Sequence, residues 1–367
     1  MRAAVIYEHD SPLRLEEVAI DKPLPNEVLV RVVAAGLCHS EIGAIRGEIP
    51  IVAFPSVLGH ESAGIVEAVG EDVTYAKPGD HVITVPMSGI FCGTCEYCLT
   101  GHVALCAREG VRRDPGARPR LSMNGKPVDQ FSELGSFAEF VLVHENAVVK
   151  IPDEMPLDRA ALVGCAVKTG LGAVFNAARL EPGATAAVIG CGGVGLNVIQ
   201  GARIAGALRI VAVDQEPARL ELARTLGATD AVDAREGDVV ERVLDITNGG
   251  VDHSLEVVGR AETVTQAFRM LRKGGMTTVV GVVFGLDLVI PGTLLMAGER
   301  RIQGCLGGSS RARIDLPRYV DYYLQGRLIL DDLITSRIAL DEVNEGLAAL
   351  DRREGARSVI TFDGVGG

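Results

Sequence analysis

Four cysteines, Cys92, Cys95, Cys98 and Cys106, follow one another with the spacing C-x2-C-x2-C-x7-C. Thiolates this close together can complete a tetrahedral shell around zinc. Such a shell leaves no position open for substrate, so the implied site is structural. Chance clustering of buried cysteines is one competing explanation, and a zinc ribbon for nucleic acid is another. The formal net charge of −12 weighs against the ribbon, because nucleic acid and anionic membranes both require positive surface. Three more residues of metal-ligand type stand apart: Cys38 in GLCHS, His60 in GHE and Cys165 in VGC. Two thiolates and an imidazole with a fourth position free make a catalytic zinc set. Spacing alone does not select these three, since an isolated Cys or His is more often a core residue.

A second constellation lies at 186–214, AAVIGCGGVGLNVIQGARIAGALRIVAVD. A short apolar run meets Gly190, Cys191, Gly192, Gly193, Val194 and Gly195. Helical spacing follows, then a second apolar run ending in Asp214, 19 residues past Gly195. A bare G-x-G-x-x-G is weak in a chain with 44 glycines. Set between strand and helix with a terminal acid, it predicts a dinucleotide site. Gly190 permits the tight turn, Gly192 lets backbone approach a pyrophosphate, and Gly195 lets helix pack on strand. Asp214 would accept hydrogen bonds from a ribose hydroxyl and repel a 2′-phosphate, favouring NAD over NADP. Arg219, one helical turn on, tempers that preference.

These residues must be held by elements the rest of the chain supplies. At 367 residues, 47% hydrophobic and 23% charged, it can bury two globular cores. No apolar run is read as reaching the ~20 residues that span a bilayer, and the charged N-terminus is unlike a signal peptide. The expected setting is cytoplasmic, where eight cysteines point to metal or thiol chemistry rather than disulfides. Short alternating strands are expected at 4–7, 13–15, 28–33, 64–69, 81–85, 136–142 and 147–150, an irregular, largely antiparallel β region. From about 157 strand–helix alternation takes over. Strands at 229–232, 251–257 and 276–282 alternate with helices at 216–227, 236–247 and 261–273, and a further apolar strand is expected at 284–290. That pattern predicts a doubly wound parallel sheet. Helices near 315–325 and 341–350 and a strand at 358–362 make a tail that rejoins the first region. The expected division is 1–166, 167–306 and 307–367.

The order and wording of several stretches carry a resemblance: GLCHSE, VLGHESAGIVEAVG, PGDHV, CGTCEYC, LVGCAVKTGLGA, VIGCGGVGL, NGGVDHSLEVVG and VVGVV. Together they resemble the zinc-dependent medium-chain alcohol dehydrogenases over nearly the whole chain. The segment 122–139 is similar to the long loop of the branch holding the animal and glutathione-dependent enzymes. The resemblance implies an α/β fold: a GroES-like irregular β catalytic domain and a Rossmann NAD-binding domain. It implies two zinc ions per chain, NAD, and a small alcohol or aldehyde as substrate. Alcohol oxidation would proceed with zinc as Lewis acid, Ser40 in the proton relay and the nicotinamide as hydride acceptor. Cys38, His60 and Cys165 would bind the catalytic zinc, and Glu61 would be an exchange ligand. Glu41 would hydrogen-bond the zinc histidine. His39 and Arg357 would touch the pyrophosphate, with Thr169, Val280 and Val282 at the nicotinamide. A homodimer is implied, a tetramer being the other option.

Three departures bear on substrate. Gly43 stands where many relatives complete the relay with histidine or tyrosine. Gly110 replaces the arginine of the glutathione-dependent branch, with Arg112 and Arg113 out of register. Ser88 replaces a bulky aromatic, which implies a wider pocket. A thiol-adduct (S-hydroxymethyl) formaldehyde dehydrogenase therefore stays open as the alternative. A zinc-free quinone reductase would lack Cys38 and His60, and a redox sensor would leave the catalytic set unexplained. Cys191 and Cys305 are expected as small buried apolar residues.

Overall fold

The computed structural model describes residues 1–49, 53–108, 110–114 and 116–362. Residues 1–165, 311–326 and 330–367 form one compact unit; 166–310 with 327–329 form the other. The tail thus divides: 307–310 and 327–329 go with the second unit, the remainder with the first.

The first unit is built on a seven-stranded sheet. Its order is Val148–Lys150, His81–Thr84, Ser62–Val69, Glu27–Gly36, Arg357–Thr361, Ile334–Ile338, with Phe140–His144 also paired to Glu27–Gly36. In Glu27–Gly36 the side chains of Val28, Val30, Val32 and Ala34 are buried, while Leu29, Arg31 and Val33 between them are half-buried. That period of two is what a pleated strand imposes. The closing strand lies antiparallel on this one, Val359 opposite Gly36, and so carries Arg357 to the strand end that leads into Cys38. A second sheet runs Arg14–Glu17, Arg2–Ile6, Ser56–Val57, Lys126–Gln130, Leu121–Met123, Ala19–Ile20. Ala3, Val5, Val18, Val57, Leu121, Val128 and Ala138 form its core. The expected strand at 136–142 is displaced to Phe140–His144.

The second unit is a six-stranded parallel sheet in the order Asp230–Asp233, Arg209–Asp214, Thr185–Ile189, Val251–Glu256, Leu271–Val279, Arg301–Gly304. Helices Gly193–Ala205, Pro217–Leu226, Val239–Ile246 and Ala261–Arg269 join successive strands. Strand order reverses between Thr185–Ile189 and Val251–Glu256, the place where doubly wound sheets open a crevice at their carboxyl ends.

Three expectations change. Residues 284–290 form no strand. Gly285 takes a left-handed φ of 68°, which breaks an extended run, and Arg301–Gly304 occupies the sheet edge instead, pairing with Met276–Val279. The helix expected at 261–273 ends at Arg269, because the next strand starts at Leu271 and stops at Val279. Val280 and Val282 therefore lie just past a strand end. Finally, Leu157–Ala178 is a 22-residue helical stretch apolar enough by length and composition to cross a membrane. Its apolar residues Ala160, Leu162, Val163, Val167, Leu171 and Val174 are fully buried, so they are core-forming.

Candidate active site and metal centres

Strand Glu27–Gly36 delivers Cys38 to the start of helix His39–Ile45. The backbone there is fixed on both sides: Gly36 N–H donates to Glu61 O at 2.9 Å, and Leu37 N–H to Ser358 O at 3.0 Å. Glu41, in the first turn, is fully buried. Its Oε2 accepts the Cys38 N–H at 2.9 Å, and its Oε1 accepts from His60 Nδ1. With Nδ1 so engaged, the other ring nitrogen Nε2 faces Cys165 Sγ at 3.2 Å. Cys165 lies in a π-helical turn, Val163–Val167, a widened turn common at functional positions. The Cys38 Sγ, Cys165 Sγ and a His60 ring nitrogen all lie within 4.8 Å of one another. Sequence separations of 22 and 105 residues are thus closed in one unit. Soft thiolate and imidazole donors at this spacing, three in number, fit zinc with one coordination position left.

Beside them Glu61 and Arg357 form a buried ion pair, each less than 5% exposed. Glu61 Oε2 is buried without a hydrogen-bond partner, which suits an oxygen that can turn toward a metal. Burial pushes the Glu61 carboxyl up to about 7, with Arg357 holding it back. A hydrogen bond from Cys165, outweighing burial, lowers the Cys38 thiol well below its usual value; Cys165 itself is raised by the same bond and by burial. Burial disfavours the His60 imidazolium, yet Glu41 and Cys165 outweigh it and raise the ring. Arg357 is turned inward on Glu61. Ser40 Oγ stands 3.8 Å from Cys38 Sγ, and His39 is exposed. Gly43 is buried with Ile49 Cδ1 3.2 Å from where a Cβ would stand, so Ile49 fills the space of a larger relay side chain.

One contact here has no signal in the sequence. Phe131 is 3% exposed, and its ring meets His60 edge-on, centroids 5.6 Å apart at 80°. The side of the imidazole that Glu41 does not hold is thereby packed.

The Sγ atoms of Cys92, Cys95, Cys98 and Cys106 also lie within 4.8 Å of one another. Backbone N–H groups of Thr94, Cys95, Cys92 and Arg108 point at these sulfurs at 3.1–3.5 Å. Hydrogen bonds from Thr94 lower the Cys92 thiol to about 6, whereas burial pushes Cys98 up to about 12. Four sulfur donors this close together, with N–H groups on the Cys92 and Cys106 sulfurs, fit a closed zinc site.

In the second unit the glycine loop has the geometry a dinucleotide needs. A Cβ on Gly195 would stand 1.7 Å from Gly190 O, so only glycine permits that approach of helix to strand. A Cβ on Gly192 would meet nothing within 4 Å; it caps helix Gly193–Ala205 and leaves open space at the helix N-terminus. Gly193 and Val194, in the first turn, are half-buried. Asp214 ends the second strand, and its two oxygens accept Cys191 N–H at 2.7 Å and Glu216 N–H at 2.9 Å. The carboxylate is thus fixed at the lip of the loop with lone pairs to spare. Arg219 Nε is buried with no hydrogen-bond partner. Thr169 and Val280 are half-buried and Val282 is exposed. Cys191 and Cys305 are buried, and burial raises both thiols.

Residues 24–153 match the alcohol dehydrogenase GroES-like domain and 193–323 the zinc-binding dehydrogenase family. The chain belongs to the zinc-dependent alcohol dehydrogenases. It is 36% identical to the alcohol dehydrogenase class-3 of Myxine glutinosa, over 98% of this chain and 97% of that one. It is equally similar, at 36%, to the S-(hydroxymethyl)glutathione dehydrogenase of Escherichia coli O1:K1, over 98% and 99%. The crystal structure of benzyl alcohol dehydrogenase from Acinetobacter calcoaceticus superimposes with a TM-score of 0.92 at 34% identity, over 98% and 99%. This zinc alcohol dehydrogenase is an oxidoreductase of small-molecule substrates with zinc and NAD as its cofactors.

Proposed function

We propose that the enzyme oxidises an alcohol to an aldehyde or ketone, reversibly, at a zinc held by Cys38, His60 and Cys165. The observation that carries this is the convergence of these three donors, with Ser40 Oγ 3.8 Å from Cys38 Sγ. Zinc when bound supplies a Lewis acid that eases loss of the alcohol proton, and NAD supplies the hydride acceptor. Ser40 takes that proton and passes it outward. Gly43 offers no side chain to continue the relay, so the next carrier is water or a cofactor hydroxyl. Glu41 fixes the imidazole, and Glu61 is the exchange ligand. Cys92, Cys95, Cys98 and Cys106 hold the second zinc. Thr169, Val280 and Val282 orient the nicotinamide, His39 meets the pyrophosphate, and Asp214 with Arg219 holds the adenosine ribose; Arg357, expected at the pyrophosphate, is instead buried against Glu61. Free cysteine ligands call for a reducing setting, so the proposed location is cytoplasmic.

A simple alcohol is favoured over a glutathione adduct by the fate of the nearby arginines. Arg112 donates to Glu133 at 2.9 Å, and Arg113, 9% exposed, is spent on Glu27 and Asp21. Arg113 is thereby unavailable to a glutathione carboxylate, Arg112 is already paired, and Gly110 supplies no side chain. The relatives' names favour the adduct as the second reading. A screen of ethanol, benzyl alcohol and S-hydroxymethylglutathione, followed by absorbance of the reduced cofactor, separates the two. Turnover of a simple alcohol above the adduct is expected; the reverse order sinks the primary reading. Repeating the screen with NADP should cost at least tenfold in kcat/KM, about 1.4 kcal/mol for a carboxylate facing a phosphate. Equal use of both cofactors would mean that Arg219, not Asp214, governs the ribose.

The proposed assembly is a homodimer. Phe284, Val289 and Met296 are 56%, 74% and 77% exposed in one stretch of the second unit, an apolar face a lone chain would leave wet. Light scattering at micromolar concentration should give at least twice the chain mass of 38.7 kDa, and a value at that mass rules the dimer out.

A further inference from the structure

Phe131 reaches the His60 ring from a turn whose backbone is unfavourable. Ser132 and Glu133 take consecutive left-handed φ values of 56° and 63°, which residues with a Cβ adopt reluctantly. Leu134 N–H and Gly135 N–H both close this turn on Phe131 O at 3.1 Å. Something outside the turn must hold it, and the Glu133 side chain, 12% exposed, is where it is gripped. Arg112 Nε donates to Glu133 Oε1 at 2.9 Å, and Arg108 Nε lies 3.1 Å from the same oxygen, paired by charge and distance. Both arginines lie in the segment that leaves the four-cysteine lobe, and Arg108 N–H itself donates to Cys106 Sγ at 3.1 Å. A second strap closes the loop: Met87 N–H donates to Ser132 O at 3.0 Å, while Arg108 Nη1 donates to Met87 O at 3.4 Å. Met87 precedes Ser88, the residue read as widening the substrate pocket.

We propose that Glu133 is a positioning residue: gripped by Arg108 and Arg112, it holds the left-handed turn that sets Phe131 against the His60 ring and fixes the Met87–Ser88 backbone. The lobe thereby acts on the catalytic metal and on the pocket without touching either. The inference rests on reading Cys38, His60 and Cys165 as a metal site.

The test uses enzyme carrying cobalt(II) at that site and zinc in the lobe, whose visible absorption reports the geometry of the metal's ligands. Glu133→Ala should shift and weaken the cobalt band and lower kcat/KM for benzyl alcohol about tenfold, the scale of a sub-ångström misplacement, while the KM for NAD stays put. Glycine accepts left-handed backbone freely, so Glu133→Gly should restore the band and recover kcat/KM to within about threefold of wild type. An unchanged band with kcat/KM within about twofold in Glu133→Ala overturns the proposal, as does a glycine variant as impaired as alanine. Should Glu133→Ala fail to fold, Arg112→Met, altered at a side chain 64% exposed, carries the same expectation of a shifted band. Wild-type enzyme that shows no cobalt band at all would instead refute the metal site itself.

Discussion

Cys38→Ala should abolish turnover, by at least 10³-fold, and leave one zinc per chain where the wild type holds two. The thiol supplies one of the three donors that converge here among the described residues, so its loss leaves two, too few to hold a catalytic zinc against water. The fold should survive the change. What fixes the backbone here is the Cys38 N–H on Glu41, Leu37 N–H on Ser358 O and Gly36 N–H on Glu61 O, and all three persist without the sulfur. Metal analysis, far-UV circular dichroism and kcat on one preparation decide it. Two zinc ions with activity within about tenfold of wild type would remove Cys38 from the ligand set. Cys95→Ala is the contrasting case, because a closed zinc site contributes folding free energy directly, so that variant should lose stability first and activity only as a consequence.

The sequence made some of this legible and hid the rest for identifiable reasons. Cys92 to Cys106 are close in the chain, so their spacing alone reads as a metal lobe. Gly190, Gly192 and Gly195 sit between strand and helix, a context that local hydrophobicity reveals. Cys38, His60 and Cys165 are brought together by sheet pairing and a π-helical turn, and their convergence is not written in any window of sequence; only resemblance named them. Phe131 and Glu133 carried no signal, since an aromatic and an acid in a loop have many uses. The error at 284–290 has a plain cause. Apolar content was read as extended sheet, whereas a left-handed glycine breaks the run and a later segment, Arg301–Gly304, takes the edge.

Glu27→Gln should cost about 3 kcal/mol, the low end for breaking a buried ion pair, because Arg113 keeps Asp21 as a partner. Glu27 opens the central strand of the catalytic unit and is 3% exposed. Its Oε2 accepts Arg113 Nη2 at 2.6 Å and Leu24 N–H at 3.0 Å; its Oε1 accepts Arg120 Nε at 2.7 Å and Arg113 Nε at 3.0 Å. An amide there can accept with one atom only and presents its NH2 to a guanidinium, leaving buried donors unpaired. Burial disfavours the Glu27 carboxylate, but Arg113, the Leu24 N–H and Arg120 outweigh it, and the group is held below its ordinary range. The sign of the pH dependence follows. An acid whose folded pKa is depressed stabilises the fold fully above its unfolded value, about 4.3, and that stabilisation is lost as pH falls through the folded value. The variant should therefore melt about 6–10 °C below wild type at pH 7. The gap should narrow below about pH 4, where wild type loses the same charge. A gap under about 2 °C at pH 7 would mean the network's desolvation cancels its attraction, and a gap that widens in acid would mean Glu27 is protonated in the native enzyme.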